Sequence, residues 1–220
     1  MSAPRNFAVL FDLDGTLVDS IELLVASMEY AFGSRTHRPP VEEWIHAIGT
    51  PLDAMLARWA ESDDDVLLLR ARYREYQMAN HDAMTTAYPG AVEALRALHA
   101  AGHPMAVVTS KLEVGARRSL KHIGVEYLFS AVVGIDATTR HKPEPEPVHF
   151  ALERLGLRSP QALFVGDSTH DMYAGRAAGV QTAAALWGPF PRTMLEAARP
   201  DHFVTAISEV PPLVERLTSG

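Results

Sequence analysis

The sequence predicts an α/β fold: a parallel sheet covered by helices and interrupted, after its first strand, by an inserted helical bundle. Three observations predict it. Short, unbroken apolar runs end in Asp, Thr, Gly or Trp, as strands buried on both faces do. From about residue 86 onward these runs alternate with helical stripes that stop at glycine. Residues 19–85 between the first run and the rest carry helical periods and no strand signal.

The first run is residues 7–11, Phe-Ala-Val-Leu-Phe, closed by Asp12 and Gly15. Similar runs follow at 105–108, 162–165 and 182–186, with weaker ones at 131–134 and 202–204. Between them, 91–101 places Val92, Leu95 and Leu98 on one stripe and stops at Gly102, a natural residue to follow a helix end. Residues 114–123, 148–155 and 172–178 stop likewise at Gly124, Gly156 and Gly179. Within the insert, Ile21, Leu24, Val25, Met28 and Phe32 follow a helical period behind Asp19. Glu22 stands three residues on, in the manner of a capping box. Val66, Leu69, Tyr73 and Tyr76 form a second stripe, and shorter patterns at 41–47 and 52–60 are broken by prolines and Gly49. The whole reads as a Rossmann-like core of residues 1–17 and 86–220 with a helical domain at 18–85.

Composition narrows the function. The chain has 220 residues, 47% hydrophobic and 21% charged, enough apolar content for a substantial core. Its formal charge of −7 disfavours nucleic acid and anionic membranes as partners. With no cysteine, disulfides, thiolate metal sites and thiol nucleophiles are excluded. The apolar run after Asn6 is too short for a signal-peptide core or a membrane span, and a cytoplasmic location is expected.

Chemistry concentrates at the strand ends. Asp12-Leu13-Asp14-Gly15-Thr16-Leu17-Val18-Asp19 puts two carboxylates at the carboxyl edge of a buried strand, where doubly wound sheets bind ligands. Asp and Gly are also ordinary turn residues, so a lone Asp-x-Asp-Gly would say little. The other strand ends carry Thr109-Ser110 and Gly166-Asp167-Ser168-Thr169-His170-Asp171, and Lys142 precedes Pro143. Each has a plain alternative: a helix cap, a turn, or a solvated lysine. His99 and His103 lie four apart, but Gly102 intervenes and no acidic partner sits between them, so a metal site is not expected there. Trp44, Trp59 and Trp187 fit packing roles, and Arg70, Arg72 and Arg74 read as a solvated face.

Taken together and in this order, Asp-x-Asp-Gly-Thr-Leu-x-Asp-Ser, Thr109-Ser110, Lys142 and Gly166–Asp171 resemble the four motifs of the haloacid dehalogenase superfamily. The resemblance covers nearly the whole chain, and the insert matches that family's helical cap. It implies Asp12 as nucleophile, forming an aspartyl-phosphate, and Asp14 as the acid that protonates the leaving oxygen and later activates water. It further implies Mg²⁺ held by the Asp12 and Asp167 carboxylates and the Asp14 carbonyl, with Asp171 behind them. Lys142 would offset the crowded negative charge, and Thr109 would grip phosphoryl oxygens. Thr16, Ser110, Lys111, Gly49 and Thr50 are the expected substrate contacts, the last two in a loop between insert helices.

Within that family a retained second acid, Asp14, points to P–O cleavage rather than dehalogenation. Residues 109–112, 141–148 and 166–175, with His81-Asp82, resemble the pyrophosphatases of the family, and phosphoglycolate phosphatases are similar too. The implied substrate is a small phosphorylated metabolite or pyrophosphate, and the implied assembly a monomer or homodimer. A β-phosphoglucomutase-like phosphotransferase and a non-catalytic phosphate sensor on the same fold are the alternatives.

Overall fold

The computed structural model describes residues 6–219; the expected core segments therefore begin and end on residues, 1–5 and 220, outside that range. Six parallel strands form the central sheet: β1 (Ala8–Phe11), β4 (Met105–Val108), β5 (Ala131–Val133), β6 (Ala162–Gly166), β7 (Gln181–Ala185) and β8 (His202–Val204). Two short strands, β2 (Val18–Asp19) and β3 (Thr86–Ala87), lie apart from them. The order β5-β4-β1-β6-β7-β8 makes β1 the point where the chain turns from one side of the sheet to the other. A crevice opens outside the carboxyl ends of strands at such a point, which is why β1 carries the residues that matter.

Alternation along β1 explains the two covered faces. Val9 and Phe11 point into one core with Leu95 and Leu98 of α5 (Ala91–Ala100) and Leu120 of α6 (Glu113–His122). Leu213 of α10 (Val210–Thr218) completes that side. Ala8 and Leu10 point into the other, against Val148 and Leu152 of α7 (Glu146–Leu155) and Ala174 of α8 (Thr169–Ala177). A short α9 (Arg192–Ala197) adds Leu195 to a small cluster with Met172 and Phe190. The helices α7 and α8 start earlier than their apolar stripes suggest, because their first turns are polar or proline-bearing.

The insert holds four helices: α1 (Ile21–Phe32), α2 (Val41–Ala47), α3 (Leu52–Ala57) and α4 (Asp63–Asn80). Leu24, Met28, Phe32, Trp44, Leu56, Leu69 and Tyr73 form a core of their own. Two expectations are corrected here. The insert has a strand stem, since β2 and β3 pair antiparallel, Val18 with Ala87 and Asp19 with Thr86. Asp19 therefore belongs to a strand, and the residue before α1 is Ser20, whose side chain makes no capping bond. Two-residue strands are too short to leave a period in the sequence. No helix among the described residues is long and apolar enough to cross a membrane.

Candidate active site

Asp12 leaves β1 with its backbone N–H donated to the Val165 carbonyl at 2.9 Å, which fixes the start of the loop against β6. Leu17 and Val18 return N–H bonds to the Leu13 carbonyl at 2.9 and 3.0 Å, closing the loop on itself. Gly15 makes that closure possible at φ +88, a region costly for any residue with a Cβ. A Cβ there would also stand 2.4 Å from Asp167 Oδ2, and one at Gly188 would stand 2.3 Å from the Asp167 Cβ. Asp167 thus sits in a cradle that two glycines leave open. Thr16 Oγ1 donates to its Oδ1 at 2.6 Å. The Trp187 indole N–H donates to the Thr16 carbonyl at 2.9 Å, tying the segment after β7 to the first loop.

Lys142 reaches the same place from the loop before α7. Its Nζ lies 3.0 Å from Asp12 Oδ1 and 2.7 Å from Asp171 Oδ1, and it donates to the Val108 carbonyl at 3.3 Å. Asp171 is the third residue of α8 and accepts from Ser168 N–H and Oγ at 3.1 and 2.6 Å. Asp171 thus closes a capping box with Ser168 while its other oxygen meets Lys142. All of these side chains are buried.

Burial pushes the Asp12 carboxyl up to about 7, the Asp171 charge adds to this, and Lys142 opposes it. Burial, then the Asp12 and Asp171 charges, push Asp167 well above the usual carboxylate range, against the Thr16 bond and Lys142. Burial works against the charge of Lys142, yet Asp12 and Asp171 outweigh it and hold the ammonium above the ordinary lysine range. Oxygen atoms of Asp12, Asp167 and Asp171 lie within 4.8 Å of one another. When ionised, three buried carboxylates with one ammonium would carry an excess of negative charge in little solvent, which is what pushes Asp12 and Asp167 up. Asp171 is committed to Lys142 and Ser168, so Asp12 and Asp167 retain the free oxygens. This donor set fits a hard divalent cation, whose preferred ligands are carboxylate and carbonyl oxygen.

Asp14 faces a different environment. Ser20 Oγ donates to its Oδ1 at 2.6 Å and Lys111 Nζ at 2.7 Å. Burial alone would raise its carboxyl, but the Lys111 charge and hydrogen bond, with Ser20, hold it below the ordinary range.

A cavity of about 450 Å³ separates this edge from the insert. Asp12, Asp14, Thr109, Ser110 and Lys111 line it on the core side, and Gly49, Thr50, Arg74 and Gln77 on the insert side. Ser110 Oγ donates to the Gly49 carbonyl, joining the two walls. Gly49 has φ +100, and a Cβ there would stand 3.2 Å from Ser168 Oγ. The Thr109 hydroxyl accepts the Lys111 N–H at 3.2 Å, and the Thr50 hydroxyl donates within its own loop to the Ala47 carbonyl at 2.7 Å.

Most residues expected from the sequence meet here, with two differences. Thr16, expected to touch substrate, is fully buried behind the wall with its hydroxyl on Asp167. The three arginines expected on a solvated face part company. Arg70 Nη1 pairs with Asp53 at 2.6 Å, Arg72 donates to the Tyr30 carbonyl at 2.9 Å, and Arg74 lines the cavity. His81 is buried between Asp82 at 2.7 Å and Ser119 Oγ at 2.8 Å, linking the end of α4 to α6. His103 Nδ1 donates to the Phe7 carbonyl at 2.9 Å. Sequence reasoning gives no site role to Ser20 or Gly188, and only a packing role to Trp187. Ser20 stood inside the quoted first motif, whereas nothing near Gly188 in sequence announces Asp167.

Residues 9–185 match the model of the haloacid dehalogenase-like hydrolases. The pyrophosphatase PpaX of Bacillus velezensis is 36% identical over 215 residues, covering 96% of this chain and 97% of that protein. The pyrophosphatase PpaX of Bacillus pumilus is 35% identical over 211 residues, covering 94% of this chain and 95% of its own length. Among solved structures, the crystal structure of a "predicted phosphoglycolate phosphatase" from Haemophilus somnus superposes with a TM-score of 0.84. Its identity is 27%, with 96% of this chain and 99% of that one covered.

Proposed function

The chain belongs to the haloacid dehalogenase-like hydrolases and is a phosphohydrolase acting on a small phosphorylated substrate; on that premise we propose its mechanism and substrate. The proposed substrate is inorganic pyrophosphate, with a small phosphomonoester such as phosphoglycolate second. The observation that carries the mechanism is Asp12 at the carboxyl end of β1, buried, 3.0 Å from Lys142 and beside Asp167.

In this reading Asp12 Oδ attacks phosphorus, the P–O bond to the leaving group breaks, and an aspartyl-phosphate forms. Water then attacks that phosphorus, Asp14 takes its proton, and the Asp12–phosphoryl bond breaks to release phosphate. Lys142 stays charged next to Asp12 and keeps the carboxylate oriented for attack. Thr109, with the Ser110 N–H, holds the phosphoryl oxygens, since the Thr109 and Lys111 N–H groups are bonded to the Val133 carbonyl and the Thr109 hydroxyl. Asp12 and Asp167, with the Asp14 carbonyl, would hold Mg²⁺, and Asp171 would keep Lys142 in place. The bound ion supplies charge neutralisation between an anionic nucleophile and an anionic substrate. Ser110, Lys111, Gly49 and Thr50 line the substrate's side of the cavity.

The state of Asp14 supports pyrophosphate over a simple ester. Lys111 and Ser20 hold it ionised, which suits a base. A departing phosphate needs less proton help than a departing alkoxide, so an ionised Asp14 hinders pyrophosphate cleavage less. An ester would first have to draw Lys111 away, which its own anionic group could do. The two relatives named as pyrophosphatases support the same choice. Residues 18–85 are read as a cap domain that closes the site, over a core of 1–17 and 86–220. The proposed setting is the cytoplasm, as a monomer or homodimer.

Phosphate release from pyrophosphate, phosphoglycolate, glucose 1-phosphate and an aryl phosphate, with Mg²⁺ and with excess chelator, tests this. The expected result is highest kcat/KM on pyrophosphate and loss of activity in chelator. Full activity in chelator would overturn the metal assignment, and a preference for glucose 1-phosphate would overturn the substrate.

A further inference from the structure

The charged groups on the cavity wall are Asp12, Asp14, Asp53, Arg74 and Lys111. Asp12 is paired with Lys142 at 3.0 Å, Asp14 with Lys111 at 2.7 Å, and Asp53 with Arg70 at 2.6 Å. Arg74 has no hydrogen bond, ion pair or ring contact among the described residues, although it is half-buried. Its neighbours on α4 show that this is not general looseness: Arg70 and Arg72 are each satisfied, by Asp53 and by the Tyr30 carbonyl. Tyr73, the residue before it, is buried in the insert core with its ring 5.9 Å from Trp44, which fixes the helix face that Arg74 occupies. Three residues on, Gln77 lines the same cavity and also has no partner among the described residues.

A partly desolvated guanidinium without a counter-charge is complementary to an anion in the space it faces. It stands on the insert wall, whereas the nucleophile and Thr109 stand on the core wall. We propose that Arg74, assisted by Gln77, is the specificity residue that receives a second anionic group of the substrate, across the cavity from the phosphoryl group under attack. The proposal rests on the phosphohydrolase reading above and narrows it. Substrates are compounds with two anionic groups, a pyrophosphate or a phosphoryl carboxylate such as phosphoglycolate. An ester with a neutral leaving group leaves Arg74 facing no anion.

The test compares wild type, Arg74→Ala, Arg74→Lys and Arg72→Ala in kcat/KM on pyrophosphate, phosphoglycolate and an aryl phosphate with a neutral leaving group. Calorimetric binding of methylenediphosphonate with Mg²⁺ accompanies it, as a probe that is not hydrolysed. In Arg74→Ala, the ratio of kcat/KM for the doubly anionic substrate to that for the aryl phosphate should fall about 10- to 100-fold. The fall should sit mostly in KM, with diphosphonate binding weakened by at least about tenfold. Arg74→Lys should lie between, and Arg72→Ala should keep the wild-type ratio. Which of pyrophosphate and phosphoglycolate loses more identifies the second group as phosphate or carboxylate. An unchanged ratio, or unchanged diphosphonate binding, would overturn the role of Arg74. If wild type cleaves none of the three while Arg74→Ala still loses diphosphonate binding, the anion site stands and the substrate reading falls.

Discussion

The two walls of the cavity are built to opposite standards. On the core wall every charge has a partner: Lys142 spans Asp12 and Asp171, and Asp167 is held by Thr16 between two glycines. On the insert wall Asp53 is paired with Arg70, but Arg74 has no partner among the described residues, Thr50 directs its hydroxyl into its own loop, and the neighbouring Met78 is 65% exposed. Bond making needs groups fixed to within a fraction of an ångström before substrate arrives. Selection among substrates needs groups that the substrate itself completes. On the proposed mechanism, this difference puts chemistry at the sheet edge and choice on the helices.

Changes on the core wall should therefore be the most damaging. Replacing Lys142 with Met removes the ammonium that pairs with Asp12 and Asp171 in the buried carboxylate cluster. Turnover should fall by at least about 10³-fold, and stability by about 3–5 kcal/mol, as when one partner of a buried ion pair is removed. Steady-state kinetics and denaturant melts would check both, and a Lys142→Met enzyme with near-normal kcat would erase the contrast between the walls. Gly188→Ala comes next. Its Cβ must displace Asp167, so kcat should drop about 10²-fold with a smaller loss of melting temperature.

The smallest expected effect concerns metal-free protein. Asp12 has its carboxyl raised to about 7, and Asp167 is raised as well, whereas unfolded carboxyls titrate near 4. Between those values the folded state holds protons that the unfolded state has released. Stability contributed by these groups therefore falls as pH rises through that window. Melting temperature in chelator should decline by several degrees from pH 5 to 8, and Mg²⁺ should remove most of the decline. A flat profile in chelator would mean that the cluster is not strained in the way described.

The sequence reveals most of the core wall because its residues come in short strings at the ends of apolar strands. Asp12 to Thr16, Thr109 to Lys111 and Asp167 to Asp171 each lie next to a run that predicts where they emerge. What it hides is set by distance or direction. Gly188 matters because it touches Asp167, and Trp187 because it reaches the Thr16 carbonyl across 171 positions. Arg70, Arg72 and Arg74 are alike in spacing, and only the seating of Tyr73 in the insert core decides which one faces the cavity. The stem of β2 and β3 leaves no period to read, and Thr16 looks like a phosphate contact until its hydroxyl is found on Asp167.

The central claim is that Asp12 carries the phosphoryl group. An acid-quenched turnover of an aryl phosphate by Asp14→Ala, followed by peptide mass spectrometry, tests it most directly. The good leaving group needs no acid, and the missing base slows release, so a phosphorylated peptide containing Asp12 should accumulate and should be absent from Asp12→Asn/Asp14→Ala. Steady phosphate release with no phosphopeptide at Asp12, or an equal signal in the double variant, would contradict the account.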